Sequence, residues 1–189
     1  MNTITRNANY AGQDESTIEW QAKSDAFAVR VGKLRREGKS TLTAMDRLMI
    51  QELIALWENA YDGLDKETFL DLMTEDVQYS SNAFGSASGH LGMSAWYDNF
   101  TRTFNGKRHL MTNIVMVGTE EKATVMSYLT VFERIVNSDM VASAMYHDEF
   151  VKVRGTWKLS ERTLILDPGM TNTEYGQTLI KKYAATQQK

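Results

Sequence analysis

The second half of the chain restricts what it can fold into more than any other feature. Four long segments, His109–Val117, Ala123–Val136, Val141–Val153 and Trp157–Leu166, are rich in β-branched and aromatic residues and read as strands. The connections between them, Gly118–Lys122, Asn137–Met140 and a turn at Gly155, are short enough for antiparallel hairpins. Strands of this length must coil strongly. The first half is mainly helical. Ser16–Gly38 reads as a helix stopped by its glycine, and Thr43–Tyr61 as a helix whose Thr43 and Asp46 resemble a capping box. In the second helix Met49, Leu53, Leu56 and Ala60 form one apolar stripe, and Ile50, Ile54, Trp57 and Tyr61 form the adjacent one. Asp65 caps a short helix, Lys66–Met73. A short strand, Val77–Ser81, and a Ser/Gly-rich loop, Ser80–Gly92, lead to a helix capped by Ser94 that carries Trp96, Tyr97, Phe100 and Phe104.

Helices first, long antiparallel strands last and no βαβ alternation define an α+β chain. The expected architecture is a cone-shaped, strongly curved antiparallel sheet with helices packed on its concave side, leaving a conical pocket. Three parts are expected: an N-terminal arm and helical extension (1–40), the α+β domain (41–168) and a tail with weak helical character (169–189), the chain's only proline, Pro168, closing the domain.

Composition removes whole classes of chemistry. The net charge is −3, which argues against nucleic acid, because a phosphate-binding groove shows as a basic surplus. The basic run Arg30, Lys33, Arg35, Arg36 and Lys39 alternates with Val29, Val31 and Leu34, as on the solvated face of a helix. The absence of cysteine excludes disulfides, thiolate catalysis and Fe–S clusters. No segment approaches the ~20 apolar residues of a membrane span, and the start of the chain has no apolar leader, so a cytoplasmic location is expected. The three histidines, His90, His109 and His147, have no metal-ligand spacing, so no metal is expected. Nucleotide-binding and nucleophile-elbow motifs are missing too.

A scattered acid/base set remains. Asp62 lies where the second helix ends. Period 2 puts His109, Met111, Asn113 and Val115 on one face of their strand and Leu110, Thr112, Ile114 and Met116 on the other, and polarity alone does not select the inner face. Tyr61 either extends its apolar stripe or offers its hydroxyl to the pocket. Tyr146, Asp148 and Phe150 share one strand face, His147, Glu149 and Val151 the other. A buried Asp148 would need a partner, for which Arg162 is the candidate.

The segments IQELIALWENAYDGLDKETFLDLMTEDVQY, RHLMTNIVMV and YHDEFVKVRGTWKLSER, in that order over about Thr43–Leu166, resemble the SnoaL-like polyketide cyclase family of the nuclear transport factor 2-like superfamily. R-H-x-x-T-N is similar to the branch containing scytalone dehydratase and the hexachlorocyclohexane dehydrochlorinase. The resemblance implies a cone of curved sheet, no metal, no organic cofactor, and assembly as a homodimer or homotrimer. It also implies that His109 abstracts a proton from carbon and that Asp62 pairs with it. The family's second histidine has no confident match, His147 being the only other strand histidine.

The expected function is therefore a cofactor-independent lyase or isomerase on a small hydrophobic cyclic or aromatic metabolite. Its reaction is dehydratase-type β-elimination, or the related isomerisation, cyclisation or retro-aldol cleavage. His109 and Asp62 are the candidate catalytic pair, and Tyr61, Asn113, Tyr128, Tyr146 and Trp96 the candidate substrate contacts. Two alternatives share the scaffold. One is a non-catalytic ligand-binding or assembly domain, with an exposed His109 and a solvated Asp62. The other is an epoxide hydrolase, which wants a carboxylate–Arg–carboxylate set in the pocket and keeps Asp148 and Arg162 as candidates.

Overall fold

Backbone pairing over the long hairpins organises the molecule. A computed structural model describes residues 15–171 and 173–186, so most of the expected N-terminal arm lies outside the described residues. In chain order the elements are α1 (Glu15–Arg36), α2 (Ala44–Asp62), α3 (Lys66–Asp71), β1 (Met73–Ser81), β2 (Gly85–Ser88), α4 (Gly89–Phe104) and β3 (Lys107–Gly118). They continue with β4 (Lys122–Glu133), β5 (Met140–Val153), β6 (Thr156–Leu166), α5 (Pro168–Thr171) and α6 (Glu174–Thr186). The six strands form one curved, open sheet in the order β2-β1-β6-β5-β4-β3, antiparallel except for the parallel pair β1 and β6.

The caps of α2 and α3 act as read, though α3 ends at Asp71 and Met73 already belongs to β1. The Thr43 hydroxyl accepts from the Asp46 backbone N–H at 3.1 Å, and Asp46 Oδ2 accepts from the Thr43 N–H at 3.1 Å, which completes the capping box of α2. Asp65 accepts from the Thr68 N–H at 3.0 Å and caps α3. Ile50, Ile54, Trp57 and Tyr61 of α2 are all buried. The other stripe is only partly covered, since Leu56 is exposed. Where the sequence suggested a loop over Ser80–Gly92, β2 pairs with β1, and α4 starts at Gly89 rather than at Ser94. The segment Gly-Ser-Ala-Ser has no branched or aromatic residue to betray a strand; backbone hydrogen bonding alone makes it one.

Successive side chains of β5 divide the sheet into two faces. Tyr146, Asp148 and Phe150 point to the inner face, which α2 crosses. His147 and Met145 point to the outer face and meet α1: Phe27 stacks on the His147 ring at 3.9 Å and 7°, and the Ser24 hydroxyl donates to Met145 Sδ at 3.1 Å. Helix α1 therefore packs on the outer face, not on the concave side with the other helices. The tail folds back as α5 and α6. Gly176 is required there, because a Cβ at that position would lie 1.6 Å from the Met170 carbonyl oxygen.

An ionic group is buried on the inner face. Arg162 of β6 donates from Nε and Nη2 to the two oxygens of Asp148 at 2.9 and 2.8 Å, a bidentate pair wholly out of water. Its guanidinium lies between the rings of Trp57, at 4.3 Å, and Tyr146, at 4.0 Å. Removing one partner strands the other charge. Asp148→Ala is expected to cost about 3–5 kcal/mol of unfolding free energy, measured by urea denaturation. On the outer face, burial pushes His147 down to about 4. An imidazole neutral in the fold and protonated when unfolded makes stability fall as pH drops from 6.5 towards 4. Thermal melts across that window should show a shallower acid loss in His147→Phe, which keeps the stack on Phe27.

Candidate active site

Helix α2 ends against the start of β3, and this contact creates the site. Asp62, the last residue of α2, accepts from His109 twice. The ring Nδ1–H donates to Oδ1 at 2.6 Å, and the backbone N–H donates to Oδ2 at 3.0 Å. The two grips fix both the position and the tautomer of the imidazole, leaving Nε2 as the basic nitrogen. Both side chains are buried, at 6% exposure for His109 and 8% for Asp62. Arg108, half exposed, brings its Nε to 3.6 Å from Asp62 Oδ2. Tyr61 packs its ring edge-on against the His109 ring at 4.8 Å.

His109 opens onto a cavity under α2, α4 and α6. Its volume is about 60 Å³, several times the ~10–15 Å³ that a single water requires on this measure. Leu129 and Val131 of β4, Val141 and Ala142 of β5, and Leu164 and Leu166 of β6 form its floor. Trp57, Tyr61, Phe84, Trp96, Phe100 and Phe104 supply aromatic walls, while Met170, Leu179 and Ile180 of the tail cover another side. The rings of Trp96 and Phe100 stack with their centroids 4.6 Å apart. This lining is greasy and sparsely polar, as in sites for small organic ligands.

Two donors in this wall stand out because they lack partners among the described residues. The Tyr61 hydroxyl and the Trp96 Nε1–H are buried and find no hydrogen-bond partner among the described residues. Burial holds the Tyr61 phenol well above its ordinary range, so it is a neutral O–H donor. Glu58, one helical turn before Asp62, and Lys107, two residues before His109, also line the cavity. Lys107 is paired with Glu133. Among the described residues no group of three His, Cys, Asp or Glu side chains could hold a metal ion.

Five of the seven expected site residues meet here: His109, Asp62, Tyr61, Trp96 and Tyr146. Asn113 and Tyr128, expected as substrate contacts, do not; both are exposed and line no part of the cavity. A bulge between Thr112 and Val115 explains Asn113. Its backbone takes φ 51°, a left-handed conformation that asparagine tolerates, and the period-2 alternation that put it beside His109 breaks there. Tyr128 sits opposite Thr112 in the β3–β4 pair and is 41% exposed. His147 faces α1 on the outer side and supplies no second histidine. Asp148 and Arg162 pair with each other behind the cavity wall without lining it. Glu58 escaped notice in the sequence, although its spacing of four residues from Asp62 places both on one helix face.

The chain belongs to the SnoaL-like domain family, whose model matches residues 43–163. Its fold is the cystatin-like, nuclear transport factor 2-like one. A protein of unknown function from Nostoc punctiforme with a cystatin-like fold is 34% identical, covering 67% of this chain and 95% of that one, with a TM-score of 0.65. A protein assigned as a scytalone dehydratase from Novosphingobium aromaticivorans is 23% identical over 65% of this chain and 84% of its own, at a TM-score of 0.58. A hexachlorocyclohexane dehydrochlorinase from Novosphingobium barchaimii is 17% identical over 65% and 86%, at 0.56. No protein of curated function matches the sequence. Among the described residues no helix is long and apolar enough to cross a membrane.

The unpartnered donors give a binding prediction. Trp96→Phe and Tyr61→Phe should each weaken binding of an aromatic ketone such as 1-naphthyl methyl ketone relative to its deoxygenated analogue 1-ethylnaphthalene, measured by intrinsic fluorescence titration. Each lost hydrogen bond should cost about 0.5–1.5 kcal/mol.

Proposed function

We propose that this protein is a cofactor-independent lyase or isomerase that starts its reaction by removing a proton from carbon in a small cyclic or aromatic substrate. The observation that carries this reading is the His109–Asp62 pair at 2.6 Å, buried in the wall of an apolar cavity. His109 Nε2 acts as the base. Asp62 keeps the ring oriented and offsets the charge of the imidazolium that forms. The hydroxyl of Tyr61 and the indole N–H of Trp96 offer hydrogen bonds to a substrate oxygen that gains negative charge once the C–H bond breaks. Tyr146 contributes cavity wall beside them.

β-Elimination of water from a β-hydroxy carbonyl compound is the reaction that fits these groups best. The acidic C–H lies next to a carbonyl, and the carbonyl oxygen is the acceptor that the two free donors lack. The dehydratase and dehydrochlorinase neighbours support an elimination, at the level of fold. A purely ligand-binding role leaves the double grip of Asp62 on His109 without a purpose, and an epoxide hydrolase would want Asp148 and Arg162 in the cavity, where they do not lie. The working assembly is expected to be a homodimer or homotrimer.

Wild-type protein should accelerate dehydration within a panel of cyclic and aromatic β-hydroxy carbonyl compounds. His109→Ala and Asp62→Asn should each reduce kcat by roughly 10²–10⁴ while binding of the same compounds persists. Full activity in either variant would falsify the mechanism.

A further inference from the structure

Glu58 is a buried carboxyl group that its protein neighbours hold only loosely. Its side chain is 5% exposed, and it lines the same cavity as His109. Its one hydrogen bond among the described residues is long, 3.5 Å from Arg162 Nη1 to Oε1, and Oε2 takes none. Arg162 spends its two short bonds on Asp148 and packs between Trp57 and Tyr146, so Glu58 receives only the remaining, long bond from Nη1. Glu58 thus touches the guanidinium with one oxygen and leaves Oε2 unbonded among the described residues.

The charges around it pull both ways, His109 and Arg162 towards the carboxylate and Asp62 and Asp148 towards the neutral acid, and burial outweighs them. Glu58 faces Arg162 of β6, Asp148 and Tyr146 of β5, His109 of β3, and Asp62 and Tyr61 on its own helix. Lys107, also on β3, lines the cavity but is paired with Glu133. If Glu58 were ionised, the guanidinium would share its one positive charge with two carboxylates, and Asp62 would add a third negative charge nearby. A dry interior resists that accumulation. Burial is the largest influence on the group and raises its affinity for a proton.

We propose that Glu58 is a second catalytic residue, a neutral carboxylic acid that hands its proton to the hydroxyl group leaving the substrate. This inference rests on the reading of His109 as the base, and it narrows the substrate class to compounds whose leaving group is a poor one that must be protonated. His109 Nε2 takes the proton from the carbon next to the carbonyl, and the C–H electron pair becomes the new C=C bond. The C–O bond breaks with its pair on oxygen, and the Glu58 proton joins that oxygen to form water. One proton is then in excess on His109 and one is missing from Glu58. Transfer from imidazolium to carboxylate through the released water restores both. Hydroxide is a far poorer leaving group than chloride or a carboxylate, so only hydroxyl substrates need this acid.

Two measurements test the assignment. The first needs no substrate: an infrared difference spectrum of wild type minus Glu58→Gln at pH 7 should show the C=O stretch of a protonated carboxylic acid. Absence of that band overturns the proposal. The second compares two probes, the aldol adduct of benzaldehyde and acetone and its acetate ester, followed by absorbance of the shared product benzylideneacetone. Glu58→Gln should slow loss of water by about 10²-fold or more, with loss of acetate changed by only a few-fold, since acetate departs without a proton. His109→Ala should lose both reactions. Equal rates of dehydration in Glu58→Gln and wild type remove Glu58 from the mechanism and leave His109 in place. Unchanged rates in His109→Ala remove the base instead. Should wild type turn over neither probe, the infrared band alone decides.

Discussion

Helix α2 is fastened to the sheet along its length, and the site depends on three of those ties. At its start, Asp46 accepts from Lys152 Nζ at 2.7 Å and from Trp157 Nε1 at 3.0 Å, tying the helix to the β5–β6 hairpin. Midway, Trp57 lies over the Arg162 guanidinium. At its end, Asp62 grips His109 of β3. These three contacts span the sheet from β6 to its β3 edge. A helix held only at its start could swing its last turn by several ångströms, and proton transfer from carbon does not survive such looseness.

The Asp46 tie serves two ends. The same carboxylate closes the capping box on Thr43 and receives the lysine and indole donors, and Lys152 with Thr43 holds its pKa below the usual carboxylate range. Local helix initiation and long-range docking thus use one side chain. The Arg162–Asp148 pair works differently. It is costly to desolvate and brings little net stability over an apolar replacement of equal volume. Its effect is to give the middle of α2 a fixed cation to pack on, and to keep that cation behind the cavity wall.

The cavity itself is the space that three helices leave over the curved sheet. Because aromatic side chains from α2 and α4 fill most of that space, the remaining void is small and apolar. Few side chains in its wall carry polar groups: Glu58, Tyr61, Trp96, Lys107, His109 and Tyr146. An apolar surrounding strengthens each group's interaction with a ligand. It also defines what a ligand must bring, namely a flat greasy body and an acceptor oxygen.

Much of this was legible along the chain. The capping box, the four long strands and the buried stripe of α2 all follow from local periodicity, which the backbone converts directly into helix or strand. The pairing of Asp62 with His109 was reached through family likeness, because no local rule joins residues 47 positions apart. Other features depended on tertiary structure alone. The bulge at Asn113 reversed the strand face, since a period-2 reading has no means of registering an inserted residue. Helix α1 could have covered either side of the sheet, and contacts such as Phe27 on His147 and Ser24 on Met145 hold it outside. Glu58 reads in sequence as one more surface glutamate on an amphipathic helix; it becomes a candidate acid only when the sheet closes over it and water is gone. Sequence determines which groups are present and how each segment is wound, but burial is a property of the packed whole, and the chemistry of an acid or base depends on burial.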